Sequence, residues 1–198
     1  AVETLVTTNL VTVAGEVKNF NVDNVEEIIR NKVKEIGYEQ EGFHWDKLKI
    51  YNEIHAQSGD ISLGTDNFGA GDQGIMFGYA CNGTPSMMPA PIHYSHEILK
   101  SLEQRRLENL DILGPDAKSQ VSIKYEEGKP KYATNVVCST QHAESKGSDA
   151  KELARLVMRD QLGELYDENR TKFYINPTGN FVIGGPDGDT GLTGRKII

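Results

Sequence analysis

The chain has 198 residues, enough for one large domain or two small ones and for a core that needs no disulfide or metal. Hydrophobic residues make up 37% and charged residues 25%, which excludes a disordered chain. A net charge of -8 argues against a nucleic-acid partner, and no apolar run is long enough to span a bilayer. No basic start followed by an apolar run marks a secretory signal, so the expected compartment is the cytoplasm. Cys81 and Cys138 are expected as buried free thiols, and the lack of a CxxC or Cys/His cluster argues against structural zinc.

In chain order, the Val- and Thr-rich stretches Thr4 to Thr8 and Leu10 to Val17 predict a strand pair. A helix follows Asn21-Val22-Asp23, with Val25, Ile28, Ile29, Val33 and Ile36 as its apolar face and Gly37 as its stop. Leu48 to Ile54 alternates as a strand. Residues 58–69 are glycine-rich and predict a mobile loop, and Ile75 to Ala80 a further strand. A helix is expected from His93 to Leu110 on Ile98, Leu99, Leu102, Leu107 and Leu110.

Gln120 to Tyr125 and Ala133 to Ser139 predict a second strand pair about the turn Glu126-Glu127-Gly128-Lys129. A helix over Asp149 to Tyr166, on Leu153, Leu156, Val157 and Leu162, and a strand at Phe173-Tyr174-Ile175 complete it. Strand, strand, helix, strand thus occurs twice, which predicts two similar α+β domains. In each, a helix would cover one face of an antiparallel sheet and leave the other face for a partner.

Three segments carry chemistry. Gly69-Ala70-Gly71-Asp72-Gln73-Gly74 matches G-x-G-x-x-G, but a polar loop precedes it and a β-like run follows. A dinucleotide site needs a strand before and a helix after. Asp72 reads either as a turn aspartate or as a ligand-facing carboxylate. Gly114-Pro115-Asp116-Ala117-Lys118 reads as a sharp turn entering a strand; its acid and base form either a surface ion pair or a ligand-facing couple. From Gly184 to Lys196, five glycines and Pro186 set the backbone path, and Asp187, Asp189, Arg195 and Lys196 lie close together in sequence. Cations there suit an anionic leaving group, and carboxylates suit a metal ion or a developing cation. No two histidines stand at H-x-x-x-H spacing, and no Ser/His/Asp pattern appears.

The segment from Gly69 to Ala80 resembles the signature hexapeptide region of the methionine adenosyltransferases, or S-adenosylmethionine synthetases. The segment from Gly184 to Lys196 is similar to that family's second signature, and Pro115 to Gln120 and Ser139-Thr140-Gln141-His142 also fit. The resemblance implies an α+β fold with three similar domains, of which this chain carries two. It implies an enzyme that joins ATP to L-methionine and cleaves the displaced tripolyphosphate to pyrophosphate and phosphate. Mg²⁺ and K⁺ are its implied cofactors. A homodimer or dimer of dimers, with active sites between subunits, is its implied assembly.

By the same resemblance, Glu3 is a potassium ligand, and Glu16 and Gln57 contact methionine. Asp72, Lys118 and Asp189 are the implied catalytic residues, with Asp189 shared by adenosine and methionine. Asp116, Ala117, Lys118, Asn180, Phe181, Asp189, Arg195 and Lys196 are the implied ATP contacts. Asn180 stands where the family has a basic residue, and the family's His-Pro-Asp-Lys motif is absent. The chain is therefore expected to be an internal fragment, inactive alone. It would comprise the rest of an N-terminal domain (1–57), a mobile active-site loop and signature entry (58–71), a central domain (72–182) and the start of a C-terminal domain (183–198). The alternative is a short non-catalytic homologue that binds adenine nucleotide or pairs with a full-length subunit.

Overall fold

The computed structural model describes residues 1–18, 23–65, 69–70 and 73–195. They form two units, Ala1–Phe77 with the residues from Gly185 on, and Gly78–Gly184.

In the first unit, β1 (Val2–Thr7) and β2 (Leu10–Val17) form an antiparallel hairpin. Its turn passes through Asn9 at φ 52°, a left-handed geometry that asparagine tolerates better than most residues. After α1 (Val25–Ile36), a small ribbon of β3 (Glu39–Gln40) and β4 (Phe43–His44) leads into β5 (Lys49–Ala56). β5 lies parallel to β2, and β9 (Gly191–Leu192) pairs with β1. One face of this sheet packs on α1 and the ribbon, around Val11, Val13, Val25, Val33, Phe43 and Leu48. α1 ends at Gly37, where φ of 97° lets its N–H close onto the Val33 and Lys34 carbonyls.

Arg30 fastens α1 to the chain that leads into β5. Its guanidinium donates to the carbonyls of Trp45 at 2.8 Å and Leu48 at 2.9 Å, and pairs with Glu26 at 2.7 Å. Ile28 and Ile36, expected on the buried face, are exposed. The helix buries only the narrower stripe of Val25 and Val33, with Ile29 packed beside them.

In the second unit, α3 (Ala90–Glu108) precedes a hairpin of β6 (Leu113–Glu126) and β7 (Lys129–His142). Its turn, Glu127-Gly128, has φ of 50° and 75°, the two positive values that suit the right-handed twist of paired strands. α4 (Gly147–Leu162) crosses back, and β8 (Lys172–Ile175) joins β7 in parallel. Both helices cover one sheet face. The core comprises Ile98, Leu102, Leu113, Val121, Val136, Cys138, Val157, Met158 and Leu162, with Ala133, Ala150 and Ala154 closing the helix onto the sheet.

The expected repeat is present: each unit holds a hairpin, a helix and a third strand beside the second. That third strand is parallel, so both sheets are mixed rather than antiparallel. A helical crossover returns the chain to the same end of the sheet, which makes the next strand parallel to the one it left.

Other expectations are corrected. Residues 75–80 form no strand; Ile75, Met76, Phe77 and Tyr79 are exposed, without a neighbouring strand among the described residues to pair with. Within the expected loop, α2 (Gly59–Thr65) is helical. Gly114-Pro115 is not a turn before a strand but an irregular stretch inside β6. Between the pairs Leu113–His142 and Ala117–Thr140 the ladder loses register, and proline, lacking an N–H, fits such a break. Leu107, Leu110 and Leu156 are exposed, while Arg106 is buried, its guanidinium held by Glu103 at 2.7 and 2.8 Å. Cys81 is only half-buried, and both cysteines are free.

Candidate functional site

Strand alternation decides which residues each sheet offers on its uncovered face. In the first unit, Val11 and Val13 of β2 point into the core, so Ala14, two positions from Glu16, points away. Glu3 stands opposite Ala14, and Glu16 opposite His55 on β5. Glu3 and Glu16 therefore share the open face, with Glu53 and His55 beside them. His55 Nε2 lies 3.5 Å from the Glu16 carboxylate. Gln57 follows β5, half-buried, and its N–H donates to the Val17 carbonyl at 3.0 Å.

From Gly185 to Arg195, the glycine-rich second signature lies in this same unit. Gly188 N–H and Asp189 N–H both donate to the Gly185 carbonyl, at 3.0 and 3.1 Å, closing a short 3-10 turn over Gly185–Asp187. Gly185 has φ of 63° and lies against the ring of Tyr38, so a side chain there would be both strained and obstructed. The Thr7 and Thr190 hydroxyls meet at 2.9 Å. Thr193 bonds Thr4 through its N–H at 3.0 Å, and its hydroxyl donates to the Glu3 carboxylate. Arg195 donates to the Thr190 carbonyl at 2.7 Å. This segment thus closes beside Glu3, and Asp189 and Arg195 remain exposed on it. Asp72 and Lys196 lie outside the described residues.

In the second unit, Ala117, Ser119 and Val121 are paired with Thr140, Cys138 and Val136 on the helix-covered side. Lys118, paired with Ser139, therefore stands on the open face and is exposed. Asp116 occupies the irregular stretch; its N–H donates to the Gln141 side-chain oxygen at 3.2 Å. Asn180 and Phe181 run past the end of β7. His142 N–H donates to the Phe181 carbonyl at 2.9 Å, and Phe181 N–H to His142 Nε2 at 3.1 Å. Asp116, Lys118 and Phe181 are thus assembled around the last residues of β7.

Sequence reasoning named Gln141 and His142 only as part of a matching motif. They are nonetheless 5% and 2% exposed. The available signal was two large polar residues closing the apolar strand Val136-Val137-Cys138, which must find partners if buried.

The family model for the S-adenosylmethionine synthetase N-terminal domain matches residues 1–59, and that for the central domain matches residues 67–181. The chain belongs to the S-adenosylmethionine synthetase family. It is 56% identical, over its whole length, to an S-adenosylmethionine synthase of Paramagnetospirillum magneticum, and 55% identical to one of Rhodospirillum centenum. It covers 54% of each of these relatives, so the chain spans about half the length of the curated relatives it matches. Among solved structures, an unusual S-adenosylmethionine synthetase from Campylobacter jejuni superposes with a TM-score of 0.86 at 34% identity. That match covers 99% of this chain and 54% of the other. No helix among the described residues is long and apolar enough to cross a membrane.

Proposed function

We propose that this chain supplies part of the active site of a cytoplasmic enzyme that forms S-adenosylmethionine from ATP and L-methionine. The observation that carries the reading is the 56% identity to an S-adenosylmethionine synthase across the full length of the chain. In the proposed reaction, the methionine sulfur attacks the ribose 5′ carbon of ATP and the triphosphate leaves; the tripolyphosphate is then cleaved to pyrophosphate and phosphate. A thioether sulfur has a free lone pair and loses no proton, so this substitution needs no general base.

The residues divide by the charge they meet. Sulfur becomes a sulfonium, so the carboxylates of Asp72 and Asp189 favour the transition state. The leaving polyphosphate is anionic, so Lys118, Arg195 and Lys196 favour its departure. Asp116, Ala117, Asn180 and Phe181 hold the nucleotide, while Glu16 and Gln57 hold methionine. Holding both substrates in line removes much of the entropic barrier. We assign residues 1–57 to an N-terminal domain, 58–71 to the active-site loop, 72–182 to the central domain and 183–198 to the start of a C-terminal one. The subunits are assigned to a homodimer or a dimer of dimers, with sites between them.

The Glu3 carboxylate, with the Thr193 hydroxyl bonded to it, is a hard-oxygen donor set of the kind K⁺ takes, and we assign K⁺ there. K⁺ would offset negative charge near the polyphosphate. Among the described residues, no three His, Cys, Asp or Glu side chains converge on a metal position. Mg²⁺ is therefore assigned no ligand here, and no step is routed through it.

The test supplies the protein expressed from its complete reading frame with ATP, methionine, Mg²⁺ and K⁺, and detects S-adenosylmethionine by mass spectrometry. Product well above a Lys118→Ala control is expected. No product from the unsubstituted protein would overturn the reading.

A further inference from the structure

Three consecutive residues close β7 in a fully buried state: Thr140, Gln141 and His142 are 2%, 5% and 2% exposed. A strand covered on one face alternates buried with exposed side chains, so this run is covered on both sides. Thr140 lies on the helix-covered face, so Gln141 lies on the other. There two separate segments of the same unit reach it: the irregular stretch of β6 that carries Asp116, and the chain from Val182 to Gly184.

Gln141 touches both. Its side-chain oxygen accepts the Asp116 N–H at 3.2 Å, and its side-chain nitrogen donates to the Val182 carbonyl at 2.9 Å. The amide is also enclosed by backbone. A Cβ on Gly114 would sit 2.5 Å from the Gln141 amide carbon, and one on Gly184 would sit 2.7 Å from it and 2.9 Å from Asp116 Cβ. A side chain at either glycine would have to displace the Gln141 amide, which fills that space.

His142 extends the grip by one residue. Its Nδ1 lies 2.8 Å from the Ala143 carbonyl, an acceptor only, so Nδ1 carries the proton. Nε2 is then bare and accepts the Phe181 N–H at 3.1 Å, while the His142 N–H donates to the Phe181 carbonyl at 2.9 Å. Phe181 is thus held at both backbone groups by one residue.

We propose that Gln141 and His142 are positioning residues that lock the Asp116–Lys118 segment and the Asn180–Val182 segment into one nucleotide-binding surface. The inference rests on the assignment of those two segments to ATP. Gln141 acts through Asp116 and Val182, and His142 through Phe181; neither is given a contact with substrate. Fixing two segments with one amide means that displacing either should loosen both.

The test uses the protein from its complete reading frame. Gln141→Met keeps the side-chain volume but removes both hydrogen bonds. It should raise KM for ATP about tenfold, from the loss of two buried bonds, and change KM for methionine little. Gln141→Glu keeps the acceptor for Asp116 and should recover part of the ATP affinity. His142→Gln, which can offer an oxygen to the Phe181 N–H, should retain more of it than His142→Leu. A folded Gln141→Met protein with unchanged KM for ATP would overturn the proposal, as would equal rises in both KM values. Should that variant not fold, hydrogen exchange on the unsubstituted protein decides. A non-hydrolysable ATP analogue should protect residues 113–118 and 180–184 together, and protection of only one segment would overturn the coupling. Failure of the underlying ATP assignment is distinct: Lys118→Ala would then bind nucleotide as tightly as the unsubstituted protein.

Discussion

The side chain of Asn176 completes a strand ladder for Thr140. Thr140 N–H donates to Asn176 Oδ1 at 2.9 Å, and Asn176 Nδ2 donates to the Thr140 carbonyl at 3.1 Å. β8 stops at Ile175; the Asn176 N–H makes a last backbone bond, to the Cys138 carbonyl at 2.9 Å, and at φ of 44° the chain then turns away. The side-chain amide supplies the missing donor and acceptor at a position that is 2% exposed. Asn176→Ala should therefore cost about 3 kcal/mol, because two buried backbone groups of Thr140 lose their partners. Asn176→Asp keeps the acceptor but sets a carboxylate against a carbonyl, and should be no better. Urea unfolding checks this; a loss below about 0.5 kcal/mol for both would contradict it.

Arg30 makes a comparable prediction in the first unit. Its guanidinium holds the carbonyls of Trp45, Asp46 and Leu48 at 2.8 to 3.2 Å from a helix that otherwise meets the core through few side chains. Arg30→Met keeps the aliphatic stem and removes the donors, so it should destabilise by about 2 kcal/mol. Arg30→Lys should recover little, since one ammonium cannot reproduce the planar fork. By contrast, Lys32→Met, which removes the exposed pair with Glu35, should change stability by less than about 0.5 kcal/mol.

Elements that bury one face were legible because burial writes a period into the sequence. Both hairpins, the three longer helices and the repeat of hairpin, helix and strand follow from alternation and i, i+4 spacing. The misses share a different cause. Ile75 to Tyr79 has strand composition, but a strand also needs a neighbour, which local pattern does not encode. Leu107 reads as buried because apolarity is visible in sequence, while the burial of Arg106 rests on its neutralisation by Glu103, which depends on geometry. The candidate site was legible through its glycines and charges, as at Gly184 to Arg195. The supports at Gln141, His142 and Asn176 were not, because a buried polar residue declares itself only through the partners it finds.

Cys138 gives a pH dependence whose sign follows from burial. Packed in the core at 0% exposure, its thiol is pushed up to about 12 by loss of solvation of the thiolate. The unfolded thiol ionises near 8.5. Between those values the folded state keeps the proton and the unfolded state releases it, so stability falls as pH rises. Cys138 contributes nothing to this loss below about pH 8. Above about pH 9 it should add a slope of about 1.4 kcal/mol per pH unit, flattening as the folded value is reached. Unfolding measured from pH 8 to pH 11 should show a shallower decline in Cys138→Ala than in the unsubstituted protein. Parallel curves would contradict the assignment. A thiol reagent at neutral pH should label the half-buried Cys81 well ahead of Cys138.

The last prediction separates chemistry from folding at Lys118. The residue is exposed on the open face of its sheet, opposite Ser139, while the core is built from the other face. Its removal should leave stability within about 0.5 kcal/mol of the original. If Lys118 offsets charge on the departing polyphosphate, Lys118→Ala should lower turnover about 100- to 1,000-fold, the range seen when one preorganised electrostatic contact is lost. Lys118→Arg keeps the charge and should fall less far. Asp189→Asn probes the opposite sign. It keeps the side chain's shape, leaves the Asp189 N–H bond to Gly185 in place and removes only the charge that would favour the sulfonium. Turnover of the protein from its complete reading frame and thermal unfolding of the same preparations read the two effects apart. Near-normal turnover in both Lys118→Ala and Asp189→Asn would remove these residues from the chemistry, whereas a loss of activity accompanied by an equal loss of stability would assign them to the fold.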